Sequence, residues 1–133
     1  MTGVQTCALP ISIDWVASVN LLSQLPVLAL RRQVGGLQNW TERERLEYGT
    51  VLMEQHLDYL ARFTAPVCLL ADQVQSVFAR DGGLVEQRDY RPMLGGWQRD
   101  AEWGWDVAPA GELAGGGWAR HQVGAFSRWP SAG

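Results

Sequence analysis

The chain has 133 residues, 47% of them hydrophobic and 19% charged, with a formal net charge of −3. That length suits one domain with a modest core and argues against two, since single domains lie mostly between about 50 and 200 residues. All 11 basic residues are arginine, a bias that GC-rich coding explains without invoking phosphate pairing. They form no basic run of the kind that marks a nucleic-acid footprint, so no nucleic-acid partner is expected.

First along the chain comes MTGVQTCALPIS. Back-translated with suitable codons, residues 1–11 resemble a common short-read sequencing adapter with GTG taken as the start, and Ser12, encoded TCN, supplies the adapter's next base. The stretch holds no charge and only a short apolar patch at residues 8–11, unlike a secretory leader with its basic region and sustained apolar run. The resemblance implies that residues 1–11 are a non-native scar, that the natural chain begins near Ile13, and that the protein is a fragment of a longer bacterial chain of metagenomic origin. Cys7 then belongs to the scar. Cys68 is left as the native thiol, without an internal disulfide partner, which fits a reducing, cytoplasmic setting.

Residues 13–32 place Ile13, Val16, Val19, Leu22 and Leu25 at three-residue steps, with Leu21, Val27, Leu28 and Leu30 widening the apolar side. A helix is expected here, kinked at Pro26 for want of an N–H and stopped at Gly35 and Gly36. The uncharged run is short of the ~20 residues a membrane span needs and carries Ser18, Asn20, Ser23 and Gln24, so a buried or interfacial helix is the better reading.

Thr41 and Glu44 form a T-x-x-E capping box, in which the Thr hydroxyl takes an orphan N–H while Glu reaches back. From there Leu46, Gly49, Met53, His56, Leu60, Phe63, Val67, Leu70, Val74 and Val77 follow in steps of three and four, flanked by Leu52, Leu57, Ala71 and Phe78. A straight helix over residues 41–80 would run about 60 Å. Ala65-Pro66 is therefore expected to divide it, with Thr64 capping a second helix that runs to Arg80 and closes at Asp81-Gly82-Gly83.

From residue 81 onward the texture changes, with 11 of 15 glycines and 5 of 7 tryptophans in this last part. LVEQRDYR reads as a short helix and RDAEWGW as a turn, with loops and extended segments between Gly95-Gly96, Pro109 and Gly115-Gly116-Gly117. So many large aromatics argue against disorder, and the tryptophans are expected to staple the tail onto the helices.

GGWQR at residues 95–99 is nearly repeated as GGWAR at residues 116–120. Trp97, Arg99, Trp103, Trp105, Trp118 and Arg120 are thus candidates for an aromatic platform that could stack a base or sugar, although glycine turns delivering tryptophans into a groove are the plainer account. Asp100, Glu102 and Asp106 beside Trp103 and Trp105 could act as glycosidase carboxylates, but acids in a loop are ordinary. His56 and His121 lack the E-x-x-H or C-x-x-C partners that a helical metal site needs, and Cys68 between Val67 and Leu69 reads as buried filler. No catalytic residue, metal or cofactor is expected.

These features predict an all-α fold: two or three antiparallel helices over about 13–32, 41–64 and 65–80, with residues 12–80 as helical core and 81–133 as an irregular Trp/Gly-rich segment of the same domain. The function expected is a non-catalytic helical interaction or scaffold module, self-associating or binding a helical protein along the stripe Leu46, Met53, Leu60, Phe63, Val67, Leu70, Val74 and Val77. An exposed 13–28 segment would instead attach to a membrane or apolar particle surface. The rival expectation is the C-terminal piece of an enzyme whose cleft is lined by Trp97, Trp103, Trp105 and Trp118.

Overall fold

The computed structural model describes residues 12–27 and 40–130, so the adapter-like residues 1–11 and the expected helix stop at Gly35 and Gly36 lie outside the described residues. Helix α1, Glu42–Ala61, begins where the capping box places it: Thr41 is extended, and its Oγ accepts from the Glu44 N–H at 3.1 Å. Gly49, Met53, Leu57 and Leu60 form its buried side. The steps of four, four and three between them carry that side along the helix axis.

Pro66 then ends any helical continuation, because a residue before proline is pushed into extended geometry. No second helix forms beyond it. Val67–Phe78 is a twelve-residue strand, β2, the centre of a five-stranded mixed sheet. Along β2 Val67, Leu69 and Ala71 are buried at alternate positions, the two-residue period of a strand. Leu70 between them is half-buried and Val74 and Val77 come later in the strand, so apolar residues occur on both faces. A strand apolar on both faces contains three- and four-residue spacings by chance, and these imitate a helical stripe.

Strand β1, Val16–Val19, runs parallel to the first half of β2, from Val16 opposite Val67 to Val19 opposite Leu70. Parallel neighbours need a crossover, and α1 lies within it. Strand β3, Leu84–Asp89, pairs antiparallel with the second half of β2 through a turn at Asp81-Gly82-Gly83, where Gly82 has φ +92°. The glycines expected to stop a helix therefore reverse a hairpin, using the left-handed conformation glycine accepts. Strands β4, Gln98–Ala108, and β5, Trp118–Arg128, complete the sheet, with β5 paired along the whole of β2 and β4 at the outer edge. Since β5 takes one edge of β2 throughout, β1 and β3 share the other.

The all-α expectation is thus corrected to a sheet with one long helix against it, and the helical bundle and helical interaction module go with it. Residues 16–19 of the first expected helix are a strand, succeeded by a tight 3-10 turn at Leu22–Gln24. Pairing partners lie about fifty residues away, beyond any local periodicity. The tail expected to be irregular holds two eleven-residue strands. Among the described residues no helix is long and apolar enough to cross a membrane.

The core lies between α1 and one face of the sheet. Met53, Leu57 and Leu60 meet Val67, Leu69, Ala71 and Phe126, and the cluster is closed by Leu22 and by Leu94 and Trp97 beside a second 3-10 turn, Arg91–Leu94. His56 joins helix to sheet, its Nε2 2.8 Å from the Ser18 Oγ of β1. Burial pushes the His56 imidazole below its usual value, so the fold favours the neutral ring.

Candidate binding surface on the open face of the sheet

Register assigns each strand residue to a face. Val16 and Ser18 of β1 face α1, which leaves Ala17 and Val19 on the other side together with their partners Cys68 and Leu70 of β2. Pairing carries that side to Ser127, Ala125 and Val123 of β5 and on to Ala101 and Trp103 of β4, with Trp105 opposite His121. No described helix covers this face. Trp103 and Trp105 stay 44% and 50% exposed and Val19 58%, while Trp15, in step with Ala17 and Val19, is 66% exposed.

Between the indoles lies a depression of about 300 Å3, lined by Trp103, Trp105, Leu70, Val123, Gly104 and Asn20. Asn20 closes one end with a positive φ of 53°, and its N–H donates to the Leu70 carbonyl at 3.0 Å. Asn is among the few side chains that tolerate that conformation. The main-chain bond fixes it there and ends β1.

One edge of this face carries a buried acid. An extra residue in β2 shifts its pairing with β5 between Asp72 and Val74, and the Asp72 carboxylate there is 8% exposed. It accepts from Ser23 Oγ at 2.8 Å and Gln75 Nε2 at 2.9 Å, and His121 Nδ1 lies 3.2 Å away. Each partner replaces water lost on burial, which keeps the carboxylate from being an uncompensated polar group. A sequence separation of 49 between Ser23 and Asp72, and the same between Asp72 and His121, hides this cluster from any local motif.

The proposed platform residues are distributed over the molecule. Trp103 and Trp105 alone share the open surface. Trp97 is 9% exposed in the core, and Trp118 stacks on Phe78, its partner across β2 and β5, with ring centroids 5.3 Å apart. Arg99 and Arg120 project from the α1 side of the sheet and are paired with Glu102 at 3.3 Å and Asp106 at 3.1 Å. Glu102 also accepts from Gln73 and Gln122, and Asp100 from Gln98, so each of the three suspected catalytic carboxylates has a partner. The four tryptophans of the suspected cleft do not line one cleft. Of the stripe, Leu46, Met53 and Leu60 lie on α1 with Phe63 just beyond it, and Val67, Leu70, Val74 and Val77 on β2, so they form no continuous helical ridge. Leu70 alone of these lines the depression. In the sequence the one local sign of the open face is Trp103-x-Trp105, a two-residue spacing that puts both indoles on one side of a strand.

No protein-family model, curated protein or solved structure matches the chain.

Proposed function

We propose that the protein is a binding module that pairs with a second copy of itself across the open face of its sheet, with Trp103 and Trp105 as anchors. The reading rests on one observation: two half-exposed indoles flank an apolar depression on a face that no described element covers. Taking about 150–250 Å2 for an exposed tryptophan, Trp15, Trp103, Trp105 and Val19 present on the order of 400 Å2 of apolar surface. Patches of this size on soluble proteins mark contact sites, and the adjoining Ala17, Cys68, Ala101 and Ala125 extend it toward the ~800 Å2 per partner of a stable interface.

Two features favour a like copy as the occupant. Across β1, β4 and β5 the register-paired positions of this face, Ala17, Val19, Ala101, Trp103, Trp105, Val123 and Ala125, carry no formal charge, whereas Arg99, Glu102, Asp106 and Arg120 line the opposite side. Depletion of charge is what the centre of a protein interface requires. The face also holds both a projecting indole, Trp15, and a depression to receive one, and a two-fold interface needs knob and hole on the same patch.

Sedimentation equilibrium from about 1 to 100 µM tests this range of association. The expected result is a monomer–dimer equilibrium that Trp105→Glu and Trp103→Glu each shift to monomer while leaving the circular dichroism unchanged. A monomer at every concentration would overturn the reading.

A further inference from the structure

A second concavity lies on the other side of the sheet, where β1 has ended and β3 has not yet taken over the edge of β2. It holds about 290 Å3 between the N-terminal half of α1 and the end of β3. An apolar cavity of about 150 Å3 already holds a benzene ring, so this slot has room for a two-ring body. Its apolar walls come from Pro26 and Val27 on one side, Leu46 and Met53 on the helix, and Met93 below. Gly49 permits the approach: a Cβ there would stand 3.1 Å from the Pro26 Cβ, tighter than ordinary contact.

The polar edge is formed by the hydroxyls of Ser23, Thr50 and Tyr90. All three hydrogens are committed to the protein. Ser23 donates to Asp72 at 2.8 Å, Thr50 to the Leu46 carbonyl at 3.0 Å and Tyr90 to Gln75 Oε1 at 3.1 Å. The Gln75 amide orientation is set by its own NH2, which donates to Asp72 at 2.9 Å. Burial also pushes the Tyr90 phenol up, which keeps its proton in place. The Tyr90 oxygen already accepts from the Arg88 guanidinium, and what Ser23 and Thr50 have left to offer is lone pairs, so the group they meet must donate a hydrogen bond. Rim charge gives no preference for an ion: Glu42 and Arg45 sit on the same helical turn, Arg88 pairs with Glu86 at 3.1 Å, and Asp89 pairs with Arg91 at 2.8 Å.

We infer that this slot binds a small neutral molecule with an apolar body of about two fused rings and a single hydrogen-bond donor, such as a hydroxyl, directed at Ser23 or Thr50. The site is separate from the tryptophan face and does not depend on self-association.

Three methionines make the test local, because Met53 and Met93 line the slot and can be followed by 13C-methyl resonances in the whole chain. Titration with 2-naphthol is expected to shift both methyls and saturate at a Kd on the order of 0.1–1 mM, as its eleven non-hydrogen atoms allow. Naphthalene-2-carboxylate, which is anionic and has no donor, is expected to bind at least tenfold more weakly. Leu46→Trp, which fills the slot from an exposed helix position, is expected to abolish the shifts while keeping the helical circular dichroism. No saturable shift at Met53 and Met93, equal binding of the carboxylate, or unchanged binding in Leu46→Trp would each overturn the inference.

Discussion

The two faces of one sheet are built from the same strands and have opposite fates. On β2, Leu69 points at α1 and is 0% exposed, whereas its neighbour Cys68 points away and is exposed. The helix side buries its apolar side chains within the chain and carries its charges at the uncovered end as the pairs Arg99–Glu102 and Arg120–Asp106. The open side keeps its indoles half in water and its β4 and β5 centre free of formal charge. A sheet of this composition stabilises the monomer through one face and leaves the other available for contact.

Substitution separates the two faces most strongly at tryptophan. Trp97→Ala removes a buried core indole and should cost about 3–5 kcal/mol, seen as a large fall in the urea midpoint. Trp105→Ala should leave monomer stability nearly unchanged and weaken self-association roughly tenfold to a hundredfold, as truncated interface anchors do. A pair of variants with equal effects on folding would erase the distinction between the faces.

Smaller changes sharpen it. Asp72→Ala removes the oxygen to which Ser23 and Gln75 both donate, leaving buried donors without an acceptor at a cost of about 1–3 kcal/mol, measured by thermal unfolding at neutral pH. Thr41→Ala removes the α1 cap and should cost about 1 kcal/mol, read from the same melts. The pH dependence has a defined direction at His56. Because burial lowers its folded value, the neutral ring contributes stability that is fully present above the ordinary value of 6.5 and is lost as the pH falls through the lowered one. His56→Gln should flatten that part of the stability–pH curve.

The long helix was legible because its signals are local. Thr41 and Glu44 are three residues apart, and Gly49, Met53, Leu57 and Leu60 repeat within a few turns. Strand β2 was misread because Leu69 and Leu70 are adjacent on opposite faces, giving a spacing that a helix would also satisfy. Strands β4 and β5 were hidden by their glycines and by irregular pairing, with register shifts beside Asp100 and Val107. Those shifts interrupt the alternation that would otherwise mark a strand. Of the open surface the sequence exposed Trp103 and Trp105 as candidates, but their company of Asn20, Leu70 and Val123 arises only from pairing between distant strands. The Asp72 cluster has the same origin.

Pairing through the open face would bring Trp103 and Trp105, and not Trp97 or Trp118, against a second copy. Fluorine NMR of the 5-fluorotryptophan-labelled chain, recorded over a concentration series with resonances assigned by single substitution, addresses each indole separately. Trp103 and Trp105 should shift progressively with concentration while Trp97 and Trp118 hold their positions. Spectra in which Trp103 and Trp105 are unmoved at every concentration would contradict pairing through the open face.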